Sequence, residues 1–128
     1  MSLLVHTSPG EFLDKLTILE IKSERMTDPA KLANVQRELD LLRTTWSASP
    51  LAARDTRMLV SQLKQVNEEL WEIEDRIRLK ESARQFDADF IELARAVYRT
   101  NDRRAAIKRQ INESLGSELI EEKSYESY

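Results

Sequence analysis

The residues able to do chemistry fall into two charged blocks and one isolated imidazole. The acidic block is Glu68-Glu69-Leu70-Trp71-Glu72-Ile73-Glu74-Asp75. Its pairs Glu69/Glu72 and Glu72/Asp75 stand three residues apart, which sets carboxylates on neighbouring turns of a helix. All-helical, magnesium-dependent nucleotide phosphohydrolases use such carboxylates, because hard cations take oxygen ligands. A site of that kind needs a second carboxylate set on a facing helix, with every member pointing inward. Here Glu68, Glu72 and Asp75 lie opposite the apolar stripe of their own helix. Glu72 and Glu74 are followed four residues on by Arg76 and Arg78, an ordinary surface arrangement. The spacing therefore reads first as a solvated helix face. Glu11/Asp14 repeats it and reads as N-terminal capping and interaction with the helix dipole.

The basic block is Arg95, Arg99, Arg103, Arg104, Lys108 and Arg109. Steps of four stack Arg95, Arg99 and Arg103 along one face, a stripe that could hold the phosphates of RNA, a nucleotide sugar or a phospholipid. The aromatic platforms of single-strand binders are missing, since Tyr98 alone interleaves the stretch. Internal neutralisation explains the block as well. If two long helices form an antiparallel hairpin turning near Phe86, Asp75 lies level with Val97 and Glu68 with Arg104. The acidic block then faces the basic one and sets the hairpin register. His6 stands alone in a short apolar arm with no Ser or Asp arrangement around it, so it reads as a structural or surface residue. The chain has no Cys, hence no disulfide and no thiolate, and with 1 His it lacks the ligands of a zinc site. Its 2 glycines cannot build a phosphate-binding loop. The expectation is no catalytic residue, no metal site and no cofactor.

Positioning these blocks requires long helices. Residues 56–85 hold neither Gly nor Pro, and Leu59, Leu63, Val66, Leu70, Ile73 and Ile77 recur at alternating spacings of 4 and 3. That is the seam of a helix packed lengthwise on others, and the expected centre of the fold. Before it, Ser8-Pro9-Gly10-Glu11 is a helix start with Ser8 as cap, Pro9 in the first turn and Glu11 closing the capping box. The first helix, about 9–26, is apolar on more than one face through Phe12, Leu13, Leu16, Ile18, Leu19 and Ile21. Its second face suggests a partner, with a second copy of the chain as one candidate. Asp28-Pro29 starts a second helix carrying Leu32, Val35, Leu39, Leu42 and Trp46 to about residue 47. Asp87 caps a fourth helix that runs to about 115, where Gly116 fits the left-handed closing position. Within it Asn101, Arg104 and Lys108 occupy positions where the apolar stripe should continue. The helix there breaks, leaves the core, or points polar groups at something. Trp46 and Trp71 read as core or interface anchors. The apolar arm Leu3-Leu4-Val5 could tuck against the helices, and the tail could return to the fourth helix.

Composition agrees with this reading. A length of 128 residues suits one domain with one core, and 2 Gly with 3 Pro favour a few long helices over many strands. Charged residues at 34% and hydrophobic ones at 41% suit amphipathic helices. The net charge of −3 exerts no global pull toward nucleic acid or anionic lipid, so nucleic acid is not the expected partner. No segment approaches the ~20 apolar residues of a membrane span, and a cytoplasmic protein is expected. The fold class is all-α: an elongated antiparallel helical bundle built on a long helical hairpin, with short non-helical arms at both ends. It is one helical domain with helices at about 9–26, 29–47, 55–85 and 88–115 and a tail at 117–128.

Several stretches together resemble a family of short bacterial proteins known only as a domain of unknown function. They are Gly10-Glu11 with Leu13 to Lys22, Thr27 to Leu32, Asn67 to Asp75, Tyr98 to Arg104, and Gly116 to Tyr125. The resemblance covers nearly the whole chain. It implies no activity or catalytic residue, and it places relatives near genes for surface-polysaccharide assembly. It draws attention to Tyr98, Arg99, Asn101, Asp102, Arg103 and Arg104, and to Lys123 and Tyr125 of the tail, as candidate binding residues. Lys123 and Tyr125 are expected near Asn101, Asp102 and Arg104. The leading functional expectation is a non-enzymatic interaction or adaptor protein, homodimeric and possessing a protein partner. An anion-binding module and a magnesium-dependent phosphohydrolase are the alternatives.

Overall fold

The computed structural model describes residues 1–128. Four helices, α1 (Pro9–Arg25), α2 (Pro29–Ala48), α3 (Arg57–Ser82) and α4 (Ala88–Ser114), form a bundle without strands, with a short 3-10 turn at Pro50–Ala53. The caps follow from side-chain chemistry. The Ser8 hydroxyl accepts from the Glu11 N–H, Asp28 from the Ala30 and Lys31 N–H groups, and Asp87 from the Phe90 N–H. The capping box at Ser8 is half made, because the Glu11 carboxylate turns to Lys108 instead.

Both long helices end in the same hydrogen-bond pattern. Gly116, at φ 67°, closes α4 while the Ser117 N–H reaches back to the Asn112 carbonyl at 2.8 Å. The α3 terminus does likewise with Arg84 at φ 54° and the Gln85 N–H on the Lys80 carbonyl at 2.9 Å. That closure ends α3 at Ser82, three residues short of the expected 85. At 26 residues it spans about 39 Å by the helical rise.

The centre of the fold is α1, not α3. It is the one helix whose backbone packs against all three others. Leu13, Leu16 and Leu19 join Val35 and Leu39 of α2, Leu63 of α3, and Ile111 and Leu115 in a single core cluster. The apolar breadth of α1 is thus used within the chain, and the second face read as a mark of self-association is covered by its own neighbours. Trp46 stacks on Phe12 at 5.9 Å against this core. The N-terminal arm is not tucked in, since Leu3, Leu4 and Val5 are all exposed.

Burial stops partway along the long hairpin. Val66 and Asn67 are the last buried residues of α3 and Thr100 is the first of α4. From Glu68 to Arg99 no residue is buried. The hairpin of α3 and α4 therefore has a base clasped by α1 and a distal half that projects from it.

Candidate functional site

Two features emerge: a polar joint at the hairpin base and a cleft on its projecting half. The joint is built by helical spacing. Thr100, Arg104, Lys108 and Asn112 follow at steps of four on α4, and Gly10, Asp14 and Thr17 share a face of α1, so the two rows oppose each other. Asp14 is 2% exposed. Its carboxylate accepts a two-pronged contact from Arg104, Nε at 2.9 Å from Oδ1 and Nη2 on Oδ2. Asn67 of α3 donates Nδ2 to the same Oδ1 at 2.9 Å and to the Thr17 hydroxyl at 3.1 Å. The Thr17 hydroxyl in turn donates to the Asp14 carbonyl at 2.9 Å. One carboxylate thereby ties α1 to α3 and α4 together.

Lys108 completes the joint. Its Nζ lies 2.7 Å from Glu11, 3.0 Å from Glu121 of the tail and 3.8 Å from Asp14. Burial pushes the ammonium pKa down, but the bonds to Glu11 and Glu121 and the charge of Asp14 outweigh it, so it stands above the ordinary lysine range. Arg104 is likewise held above its ordinary value, first by its hydrogen bonds to Asp14. Beside them the two helices approach closely. The Gly10 N–H donates to Asn112 Oδ1 at 2.7 Å, and a Cβ on Gly10 would stand 2.5 Å from the Lys108 carbonyl oxygen. Every buried side-chain nitrogen and oxygen has a hydrogen-bond partner. Three hydrogen bonds already land on the Asp14 carboxylate, two from Arg104 and one from Asn67, and at 2% exposure it is shut off from solvent. Its physical effect is to hold three helices in one register.

The candidate residues of α4 divide between joint and surface. Arg104 and Asn101 point toward the joint, Asn101 lining a cleft with Ile18, Ile21 and Trp71 beside Arg104. Arg103 pairs with Glu69 of α3 at 2.8 Å, and Arg99 with Glu92 of its own helix at 3.2 Å. Tyr98 packs edge-on against Tyr128 at 5.0 Å, and the Tyr128 hydroxyl donates to Asp102. That bond raises the Tyr128 pKa above the ordinary phenol value. The tail does return to α4, but through Glu121, Glu122 and Tyr128 rather than through Lys123 and Tyr125. Lys123 lies 3.9 Å from Glu121 and 5.8 Å from the ring centre of the exposed Tyr125.

The charged blocks neutralise each other less than their level suggests. Of the block arginines only Arg103 bridges to the acidic block of α3. Arg104 turns to α1, Arg95 and Arg99 to Glu92, and Arg109 to Glu113 and Glu122. The acidic block is met instead from α1, where Arg25 stands 3.6 Å from both Glu68 and Glu72. No three His, Asp or Glu side chains converge as a metal-binding group. Asp14, Asn67, Asn112 and the close approach of Gly10 escaped the sequence reading. The available signals were a carboxylate between Leu13 and Leu16 on an apolar face, and polar residues at steps of four from Thr100 to Asn112.

The projecting half bears apolar groups in solvent: Leu79, Phe86, Ile91 and Tyr98 are all more than 40% exposed. Between its two helices a cleft of about 630 Å³ opens over Ile73, Leu93 and Ala96. No helix is long and apolar enough to cross a membrane.

A family model described as a family of unknown function, DUF6165, matches residues 3–128. No curated protein and no solved structure matches the chain.

Proposed function

We propose, from the premise that this chain belongs to the DUF6165 family of unknown function, that it is a non-enzymatic helical interaction protein. Its docking element is the projecting half of the α3–α4 hairpin. The observation that carries this reading is the stretch from Glu68 to Arg99, in which no residue is fully buried, the seam residues Leu70, Ile73, Ile77 and Leu93 are only half-buried, and Leu79, Phe86, Ile91 and Tyr98 stand exposed. These thirty-two consecutive residues, the ends of two helices and the turn between them, contribute no fully buried residue to the core. Exposed apolar side chains rimmed by charge are the composition of a surface that meets another protein. The polar joint supports this use, because it fixes the direction in which the hairpin leaves the base. Tyr98 and Arg99 belong to the docking element; Asn101, Arg103 and Arg104 belong to its root. Anion binding draws no support from the α4 arginines, each of which already faces a carboxylate. Bacterial origin and a place near surface-polysaccharide assembly come from the family resemblance, a cytoplasmic setting from the sequence pattern, and all three are part of this proposal.

The test is affinity capture with the full chain and with Leu79→Glu/Ile91→Glu, two exposed positions whose change leaves the base intact. Specifically recovered protein, its own chain included, should disappear with the variant while the melting temperature stays within a few degrees. Recovery unchanged by the variant would overturn the hairpin as docking element.

A further inference from the structure

The hairpin carries its charge in a pattern that selects what can lie on it. At the cleft, α3 supplies one wall with Arg76 and Lys80, and α4 supplies the other with Asp89 and Glu92, over Ile73 and Leu93. Resting on the reading of this hairpin as the docking element, we infer that its occupant is a second copy of the chain. The copy is seated face to face about a two-fold axis that runs along the hairpin, so that α3 of each copy lies over α4 of the other.

Charge makes the argument. A two-fold along the hairpin exchanges the walls and lays the basic wall of one copy on the acidic wall of the other. The levels match as well. Lys80 already stands 3.9 Å from Asp89 of its own chain, and Glu69 stands 2.8 Å from Arg103, so each charge of one copy meets its opposite at the same height on the other. Arg76 is the one charged residue of the cleft without an ion pair in its own chain, and the second copy supplies Glu92 to it. The apolar floors, Ile73 and Leu93 with the small Ala96 beside them, then close on each other. A two-fold across the hairpin would instead lay α3 on α3, and near the midpoint two Arg76 side chains would meet with like charge. A uniformly acidic or basic partner, nucleic acid and anionic lipid among them, is repelled by one wall or the other. A self-complementary patch of this kind is what an isologous dimer interface requires. A face roughly 24 Å long and two helices wide offers on the order of 500 Å² per copy, below the about 800 Å² per partner of standard interfaces. The dimer is accordingly a weak one that dilution dissociates.

Charge reversal with full-length protein tests both the occupant and its orientation. Light scattering of the wild-type chain at about 100 μM should give twice the chain mass, falling toward one chain on dilution. Arg76→Glu/Lys80→Glu and Asp89→Lys/Glu92→Lys should each weaken association more than ~10-fold, since like charges are brought together across the interface. Mixing these two variants should restore the dimer mass. So should the quadruple variant, which also restores the Lys80–Asp89 pair with its signs exchanged; helical circular dichroism of each variant checks that losing the Lys80–Asp87 contact leaves the hairpin folded. A wild-type monomer at 100 μM, a dimer indifferent to both double variants, or a mixture that stays monomeric would overturn the inference. If the wild-type chain is monomeric while the hairpin variants lose a different captured protein, the docking element stands and the second copy as its occupant falls.

Discussion

The joint makes a quantitative prediction for Asp14 and Arg104. Removing one member of a buried pair costs about 3–5 kcal/mol, because the other is left charged and without its partner. The two single losses should differ here. Arg104→Ala leaves a carboxylate 2% exposed, with the Asn67 amide at 2.9 Å and the Lys108 ammonium at 3.8 Å as remaining support. Its cost should lie near the middle of that range, about 4 kcal/mol. Asp14→Ala leaves a guanidinium that is 27% exposed and able to swing toward water, so its cost should be lower, about 2–3 kcal/mol. The double variant removes both charges together and retains mainly the lost packing and the one Asn67 N–H that loses Asp14 while the other keeps Thr17, about 3 kcal/mol. The cycle therefore carries a coupling of about 3 kcal/mol, large beside the on the order of 10 kcal/mol expected for a chain this size. Urea unfolding of the four proteins, followed by helical circular dichroism, measures it. Additive single losses, with coupling under about 0.5 kcal/mol, would refute the joint as a cooperative unit.

Three further outcomes follow from geometry. Gly10→Ala should lower the melting temperature, at a net loss of about 1–3 kcal/mol, even though alanine is the better helix former by about 1 kcal/mol. Its Cβ would stand 2.5 Å from the Lys108 carbonyl oxygen and 2.8 Å from Asn112 Oδ1, and a rise on thermal melting would contradict that close approach. Arg84→Gly should stabilise by about 0.5–1 kcal/mol, because Arg84 closes α3 at φ 54°, where a Cβ is strained; denaturation midpoints of the two proteins decide it. The tail contacts should fail in alkali. Lys108 and Tyr128 both hold their protons above ordinary values, so their contribution is complete below those values and is lost as pH rises through the folded ones, above about pH 10. A tyrosinate absorbance titration should show one of the 3 tyrosines ionising late, and Tyr128→Phe should remove that step. A late step that persists in Tyr128→Phe, the variant losing an ordinary phenol ionisation instead, would contradict the docked tail.

Much of the fold was legible because it is written in local chemistry. Ser8, Asp28 and Asp87 cap the helices, Gly116 closes the last one, and the seam from Leu59 to Ile77 marks α3, since capping and periodicity act within a few residues. The polarity of Asn101, Arg104 and Lys108 within an apolar stripe was legible too, although its object was not. Periodicity says that a face is occupied without saying by what. The breadth of the α1 apolar surface could equally be covered by a second copy or by three neighbouring helices, and the chain supplies the three helices. The level of two charged blocks could equally mean mutual neutralisation, but a guanidinium goes to the most desolvated carboxylate within reach, and for Arg104 that is Asp14 on α1.

The sequence by itself determined four helices, where three of them begin, and which faces are apolar, because those properties come from backbone and side-chain preferences within one or two turns; α3 starts at Arg57, two residues past the expected 55, where the cap residue makes no side-chain hydrogen bond. The tertiary structure decided that α1 is the hub, that a carboxylate read as a cap partner is the buried joint, and that half of the hairpin stands free. Those depend on which faces meet across separations of 53 and 90 residues, where close packing and the desolvation of charge choose among pairings that local spacing leaves equivalent.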